Sequence, residues 1–233
     1  MIALIATLFL SGQTEASSPS DELSAEARAL IAPVLATINE ERRRQAEAPP
    51  PQDDDERFLR MYRLDQMGRE AMLKVDLSTL PPDQEKAASQ AMWKVQEDAD
   101  EANLNALLAL LPPEGWFLRS RYGEGPVQTA FLIIQHSNPE QWRRFVPVLE
   151  PLVAVGEVDG AQFGLMYDRL AVNEGRPQRY GTQVTCEDGR WVIDYDNLED
   201  PANVDHRRAE AGFPHTLSQY ETLFASWPAC REN

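Results

Sequence analysis

Side chains able to do acid–base or ligand-binding chemistry are scattered along this chain in short motifs. His136 ends an apolar run and supplies an imidazole, the side chain most often used as a general acid or base. Arginine binds carboxylates and phosphates through paired hydrogen bonds. If folding brings the polar set together, it fits a cleft for a small anionic or polar ligand. The predicted ligand contacts are Asp65, Gln66, Arg69, Arg169, Gln178, Arg179, Tyr180, Gln183, Asp205 and Arg208.

The same set permits hydrolysis as an alternative. His136 would act as general base, Asp168 or Asp65 would orient it, and an arginine would stabilise developing negative charge. We take His136 and Asp168 as the candidate catalytic residues. No serine elbow, phosphate-binding loop or dinucleotide fingerprint occurs, which disfavours serine hydrolases and nucleotide enzymes. A third interpretation also stays open, in which the polar set is a buried structural network of an interaction protein.

A polar stretch at residues 173–183 separates these interpretations. It contains two glycines and a proline, and it lies between an apolar helix and a predicted strand. Long loops of this kind are usually functional or disordered, and aromatic and amide groups favour an ordered loop here. If Arg179, Tyr180 and Gln183 are buried and mutually bonded, they are structural. If they point into an open cleft, they belong to the site.

The elements that must position these residues are mostly helical. Phe58, Met61 and Asp65 recur at helical spacing, so the core face of one helix runs into an acid. Asp188-Gly189 suits a tight hairpin turn between strands at 183–186 and 190–194. We therefore predict a mainly α fold, a single multi-helix domain with a small β-hairpin near the C-terminus. The predicted helices span residues 21–44, 54–75, 84–111, 127–136, 139–155, 161–172, 201–211 and 217–224.

Several local expectations follow from the same patterns. Ser20 or Asp21 is expected to cap the first helix, and Pro33 to kink it or delay its start. The charged run at 40–44 is expected to be a solvated helix end. Trp116 and Phe117 either line a cleft or cover the core. The acidic face of the third helix is expected to be solvated and nothing more: Glu85, Glu97, Asp98 and Glu101.

Composition limits the function further. The chain has 233 residues and a formal net charge of -16. A nucleic-acid-binding protein needs a basic face, and an anionic membrane would repel this charge, so neither partner is expected. With two cysteines and three histidines, a structural zinc site is not expected, and no cofactor is predicted.

The ends of the chain carry predictions about export. Residues 1–10 are apolar and uncharged, and small residues follow, which favours a signal peptide at 1–16 over a buried N-terminal helix. We then expect a helix and Pro-rich linker at 17–52, a helical domain at 53–233, and a soluble mature protein in the periplasm or outside the cell. Cys186 and Cys230 either form a disulfide there or remain separate thiols, and spacing does not decide between them.

The order of the motifs resembles a known family. D-Q-x-x-R begins at Asp65, G-W at Gly115, and Y-D-R at Tyr167, and the apolar helix ends in Gln-His at His136. G-x-P-Q-x-Y-G-T-Q follows at 175–183 and N-V-D-x-x-R at 203–208. The chain resembles an uncharacterised bacterial family known as domain of unknown function 6624 over roughly residues 53–224. Phe117 stands where that family would have a proline. The resemblance implies no established activity.

Overall fold

In the computed structural model, which describes residues 23–227 and Cys230, helices predominate, as predicted. One antiparallel hairpin lies near the C-terminus. The nine α-helices of the described residues are α1 (Ala25–Glu47), α2 (Asp54–Met72), α3 (Pro82–Ala109), α4 (Arg119–Tyr122), α5 (Glu124–Gln135), α6 (Pro139–Ala154), α7 (Gly160–Asn173), α8 (Val204–Glu210) and α9 (Leu217–Thr222). The strands are β1 (Val184–Glu187) and β2 (Arg190–Ile193).

Local sequence explains where the central helices begin. The Asp53 carboxylate caps α2 by accepting the backbone N–H of Glu56 at 2.8 Å. Pro82 opens α3, where its missing N–H costs nothing. Asn138 caps α6 through the backbone N–H of Gln141 at 3.2 Å. These caps set where α2 and α6 begin, and both helices contribute residues to the candidate site described below.

The main core surrounds α5, which is buried on most sides, as its apolar sequence predicts. Phe58 of α2 meets Phe117 edge to face, with ring centroids 5.0 Å apart. Trp116 packs in the same way against Phe145 of α6. Trp116 and Phe117 are both fully buried. They therefore cover the core and do not line a cleft.

Helix α1 packs on α2 and α3 and forms a second core with them. Ile31, Val34 and Ile38 are buried in this core. Gly68 of α2 allows the close approach, because a Cβ there would lie 2.7 Å from the Ile38 side chain. The residues before the described part of the chain include the predicted signal peptide, about which the structure says nothing.

Helix α1 differs from the predicted span of 21–44 at its start and in its charged end. The helix starts at Ala25 and continues through Pro33, with Ser24 accepting the Ala27 N–H at 3.0 Å. The helical spacing of the apolar residues was read correctly, but the N-cap residue Ser24 sets the start of the helix. The expected alternative caps, residues 20 and 21, lie outside the described residues. The charged run at 40–44 is also more than a solvated end, because Glu41 is buried and bonded to Arg44.

The C-terminal region has its own small core. Val184 pairs with Ile193 and Glu187 with Arg190, around a turn in which Asp188 and Gly189 both have positive φ. Such a turn matches the twist of the strands. Its core contains Ile193, Leu198, Val204, Leu217 and Phe224.

Cys186 and Cys230 form a disulfide, which decides the question that spacing left open. It ties the chain after α9 to β1. The Cys230 backbone N–H also donates to the Gly189 carbonyl at 3.1 Å. Among the described residues, no helix is both long and apolar enough to cross a membrane.

Candidate functional site

Most of the polar side chains that we singled out fall into two groups, which also include residues that the sequence did not indicate. The first, called the histidine cluster, consists of Asp65, Gln66, Arg69, Gln96, Asp100 and His136. The second, called the loop cluster, consists of Asp168, Gln178, Arg179, Tyr180, Thr182 and Gln183. Helix α7 contacts both, because Asp168 bonds to the loop and its neighbour Arg169 bonds to the end of α5.

The centre of the histidine cluster is a contact between His136 and Asp65. His136 follows α5, and its Nδ1 lies 2.9 Å from both carboxylate oxygens of Asp65. Asp65 is only 1% exposed, on the face of α2 that packs against α5. With the Asp65 carboxylate as acceptor, this geometry assigns the donor role to Nδ1. That tautomer leaves Nε2 as the acceptor of the neutral ring.

Further partners fix Asp65 in place. The Gln66 amide donates to its carboxylate at 2.5 Å, and Arg69 Nη1 donates to its carbonyl oxygen at 2.5 Å. Arg69 also grips Asp100 of α3 with two hydrogen bonds, at 3.0 and 2.6 Å. Gln96 donates to the same carboxylate at 2.8 Å. Arg69 is thus neutralised by Asp100 and is no free anion donor.

His136 lies on the wall of a cleft of about 460 Å³ between α3 and the start of α6. Its side chain is 19% exposed. The α6 side contributes Asn138 and Gln141. The α3 side contributes Glu97, Asp100, Glu101, Leu104, Asn105 and Leu108, which share one helix face. Glu97 and Glu101 are exposed, as expected of a solvated face, and they also line this cleft.

Arg169 lies behind the end of α5. Its Nη1 donates to the Gln135 carbonyl at 2.8 Å, and its guanidinium lies 5.7 Å from the Trp142 ring centroid. Within the described part of the chain it has no carboxylate partner. Burial and then the nearby charge of Arg69 lower the pKa of Arg169. A partly buried cation without a counter-ion thus lies next to the residue that precedes His136.

Asp168 organises the loop cluster and does not contact His136. It is fully buried, and it accepts the backbone N–H groups of Arg179 at 2.7 Å and Thr182 at 2.9 Å, with a longer bond from Tyr180. Burial raises the pKa of Asp168, and these hydrogen bonds offset the rise only in part. Asp65 is therefore the carboxylate that orients His136.

The other loop residues also bond to one another. Gln178 donates to the Gln183 carbonyl at 3.0 Å and accepts the Gln183 backbone N–H at 2.8 Å. Arg179 bonds to Glu150 and to the Tyr167 hydroxyl, both at 2.8 Å, and stacks on the Tyr167 ring. These contacts order the loop. They match the structural interpretation for the buried Tyr180, whereas the Arg179 side chain remains 28% exposed and its expected ligand contact stays a prediction.

Asp205 and Arg208 bind the C-terminal segment to this loop. Arg208 is 2% exposed and donates to the carbonyls of Tyr180 at 2.7 Å and His215 at 2.9 Å. Burial lowers its pKa. Asp205 accepts the Leu217 backbone N–H at 2.6 Å. In the structure their side chains hold neighbouring segments together, and the expected ligand contact of both residues stays a prediction.

Sequence reasoning missed several members of the site. Gln96 and Asp100 lie four residues apart on α3 and face the equally spaced Asp65 and Arg69, but only the packing of α2 on α3 pairs them. Gln141 was missed because it lies in an amphipathic helix and no motif or spacing sets it apart. Among the residues that the structure describes, no group of His, Cys, Asp and Glu is placed to hold a metal ion.

The comparison with known families agrees with the motif order. The model of a family of unknown function, DUF6624, matches residues 53–226. The chain belongs to this family. The DUF6624 match begins at Asp53, the N-cap of α2. Helix α1 therefore lies before the matched region, although it packs against α2 and α3 within that region. No curated protein and no solved structure matches the chain.

Proposed function

We propose that this DUF6624 protein is a hydrolase-type enzyme in which His136 is the general base and Asp65 orients it. The observation that carries the proposal is the 2.9 Å contact between His136 Nδ1 and a buried carboxylate, on the wall of a cleft. A general base needs a fixed tautomer and a free nitrogen within reach of the reacting proton. The contact with Asp65 would fix the tautomer, and it leaves Nε2 as the nitrogen that can reach the reacting proton.

The attacking group in this mechanism is water. Ser137 also lines the cleft, but its hydroxyl donates to the Ile134 carbonyl at 2.7 Å. A serine nucleophile would instead bond to the histidine. His136 Nε2 would take a proton from water as the oxygen attacks an acyl or phosphoryl centre, the bond from that centre to the leaving group would break, and the imidazolium would return the proton to the leaving group. Asp65 would then stabilise the imidazolium through Nδ1.

Arg169 lies behind the end of α5 and not on the cleft wall, and it is our candidate for stabilising, through its charge, the negative charge that develops on the substrate. It is the cation of this region without a carboxylate partner among the described residues, whereas Arg69 is paired with Asp100. A guanidinium in a partly buried site interacts more strongly with a developing anion than one in water. This role keeps the expected anionic or polar ligand and moves it from the loop cluster to the histidine cluster.

The test combines tautomer spectroscopy with kinetics. Long-range ¹H–¹⁵N spectra of the neutral ring should show Nδ1 protonated and Nε2 free. A panel of chromogenic esters, amides and phosphoesters then identifies a substrate class, for which His136→Gln and Asp65→Asn should each lower kcat about 10²-fold or more. Ser137→Ala is the matched control from the same cleft and should keep kcat. A protonated Nε2 in the neutral ring, or an unchanged kcat in His136→Gln, would reject His136 as the general base.

A second candidate function is binding of a polar ligand without chemistry. The lining of the cleft favours it, because Asn138 and Gln141 stand on the α6 side and Glu97 and Glu101 on the α3 side, so that polar groups surround the space beside His136. Such groups can exchange hydrogen bonds with a polar ligand. Saturable ligand binding together with no turnover across the panel would favour this candidate over the hydrolase.

We also propose that the protein works outside the cytoplasm. The Cys186–Cys230 disulfide supports this, since such bonds persist in oxidising compartments. The apolar residues 1–10 are consistent with a signal peptide. Mass spectrometry of the mature N-terminus tests the proposal, and an intact Met1 on a cytoplasmic protein would reject it.

A further inference from the structure

We propose that Asp100 is a positioning residue, which holds the Arg69 guanidinium away from the carboxylate of Asp65. That carboxylate is then left to bond to His136. The inference rests on the proposed function only in treating the His136–Asp65 pair as the site. It deepens that function by assigning a role to the ion pair between α2 and α3. Three observations support it: the placement of one cation between two carboxylates, the kind of partner that Asp65 has, and a second anchor for Asp100.

Arg69 lies between two carboxylates and bonds well to only one of them. Its Nη1 and Nη2 donate to the Asp100 carboxylate at 3.0 and 2.6 Å. The distance from Nη1 to Asp65 Oδ1 is 3.5 Å, which is the limit of a hydrogen bond. Asp65 and Arg69 are four residues apart on α2, the spacing at which opposite charges normally pair. Asp100 of α3 has therefore taken the partner that helical spacing offers to Asp65.

The close partners of the Asp65 carboxylate are an amide and an imidazole. It accepts the Gln66 amide at 2.5 Å and His136 Nδ1 at 2.9 Å. Asp65 is 1% exposed, so solvent screens its charge little. A guanidinium bonded directly to this carboxylate would compete for the oxygen atoms that Nδ1 uses and would weaken their attraction for an imidazolium. Holding Arg69 on α3 avoids that competition.

Asp100 is fixed from a second side, which keeps it in place for Arg69. Gln96 is fully buried, and its Nε2 donates to Asp100 Oδ1 at 2.8 Å and to the Leu64 carbonyl at 3.1 Å. Gly68 of α2 provides the space, because a Cβ there would clash with the Gln96 side chain. The Asp100 and Arg69 side chains are each 15% exposed, so solvent screens their pair only weakly. The guanidinium is thus anchored on α3.

The first test is Asp100→Asn, which removes the charge and keeps the size of the side chain. Without that charge, Arg69 should turn to Asp65 Oδ1 and displace the His136 ring. Long-range ¹H–¹⁵N spectra of the full chain should then show the neutral ring shifting from Nδ1–H toward Nε2–H. For any substrate that the panel of esters, amides and phosphoesters identifies, kcat should fall about tenfold with KM nearly unchanged.

Asp98→Asn is the matched control. It removes an equal charge from the same helix and breaks an exposed pair with Lys94, at 2.8 Å. In this variant the His136 tautomer and kcat should stay at their wild-type values. Urea denaturation of each variant gives the folded fraction to which kcat is scaled. Equal responses in Asp98→Asn and Asp100→Asn would overturn the inference, because they would reflect net charge alone.

A second-site variant separates positioning from a purely structural ion pair. Arg69→Met keeps the apolar stem and removes the cation that Asp100→Asn would release. In the double variant, Nδ1–H should return and kcat should recover to within about threefold of the wild type. An ion pair that only joins α2 to α3 predicts no recovery, because each single variant already breaks it. A double variant as impaired as Asp100→Asn would therefore also overturn the inference.

The outcome is separable from that of the proposed function, because the tautomer is measured without turnover. A tautomer shift in Asp100→Asn that Arg69→Met reverses, in a protein that hydrolyses nothing, would keep this inference and reject the hydrolase. Hydrolysis dependent on His136, with the tautomer and kcat unchanged in Asp100→Asn, would keep the hydrolase and reject the positioning role.

Discussion

The histidine cluster and the loop cluster contain the same kinds of side chain and use them differently. In the loop cluster, Asp168 is saturated by backbone N–H groups, and Arg179 has two carboxylates and a tyrosine around it. In the histidine cluster, Asp65 bonds mainly to side chains, and His136 reaches an open cleft. An acid that holds backbone stabilises a loop, whereas an acid that holds a titratable ring controls a proton.

The largest expected effect tests the structural half of this comparison. Asp168→Ala would leave several buried backbone N–H groups without an acceptor, at about 1–3 kcal/mol each, so we expect a loss of about 3 kcal/mol or more in the free energy of unfolding. Urea denaturation measures it. For any substrate found, kcat of the folded fraction should stay near the wild-type value. A stable Asp168→Ala protein with a large kcat defect would assign Asp168 to the chemistry.

The limits of sequence reasoning lie in the same contrast. Helical spacing behind Phe58 and Met61 placed Asp65 on the buried face of α2, and an apolar run placed His136 at a helix end. That they meet depends on how α2 packs on α5, across 71 residues of chain. Periodicity gives the face of a helix and not the partner of that face. For that reason Asp168 seemed an equal candidate, and Asp100 was not singled out.

The cleft between α3 and α6 shows the same limit for exposed residues. Glu97 and Glu101 have the spacing and exposure of a solvated helix face, and solvated is what they are. Their second property, a place on a cleft wall facing Gln141, comes from α6 arriving next to α3. A surface charge pattern thus looks identical in sequence whether open solvent or a binding cleft lies beyond it.

An intermediate effect is expected from two arginines that differ in pairing. A thermal-shift titration with phosphate and acetate should stabilise the wild type, and Arg169→Ala should lose that response, because Arg169 has no carboxylate partner among the described residues. Arg179→Ala is the matched control, since Glu150 and Glu199 already pair with its guanidinium. The expected difference in Tm is a few degrees at saturating anion. Loss of the response in Arg179→Ala alone would return the anion site to the loop.

The smallest expected effect compares Asp168 with Glu41, a buried carboxylate whose partners are cations. Burial opposes the charge of Glu41, but hydrogen bonds from Arg44 and Gln45 and the charge of Arg63 outweigh it, so its pKa lies below its ordinary 4.5. Its contribution to stability is therefore present above pH 4.5 and is lost as pH falls through the lower folded value. Glu41→Gln should cost about 1 kcal/mol at neutral pH and nothing in strong acid.

Asp168 should behave with the opposite sign, because its folded pKa is raised above its ordinary 3.8. The charged form then carries a penalty above the folded pKa, and acidification through that value relieves it. Relative to Asp168→Asn, the wild type should gain stability as pH falls, whereas relative to Glu41→Gln it should lose stability. Urea denaturation across pH 3–7 measures both differences. Parallel pH trends in the two pairs would contradict the opposite pKa shifts of Glu41 and Asp168. They would also remove the contrast between a carboxylate held by cations and one held by backbone N–H groups.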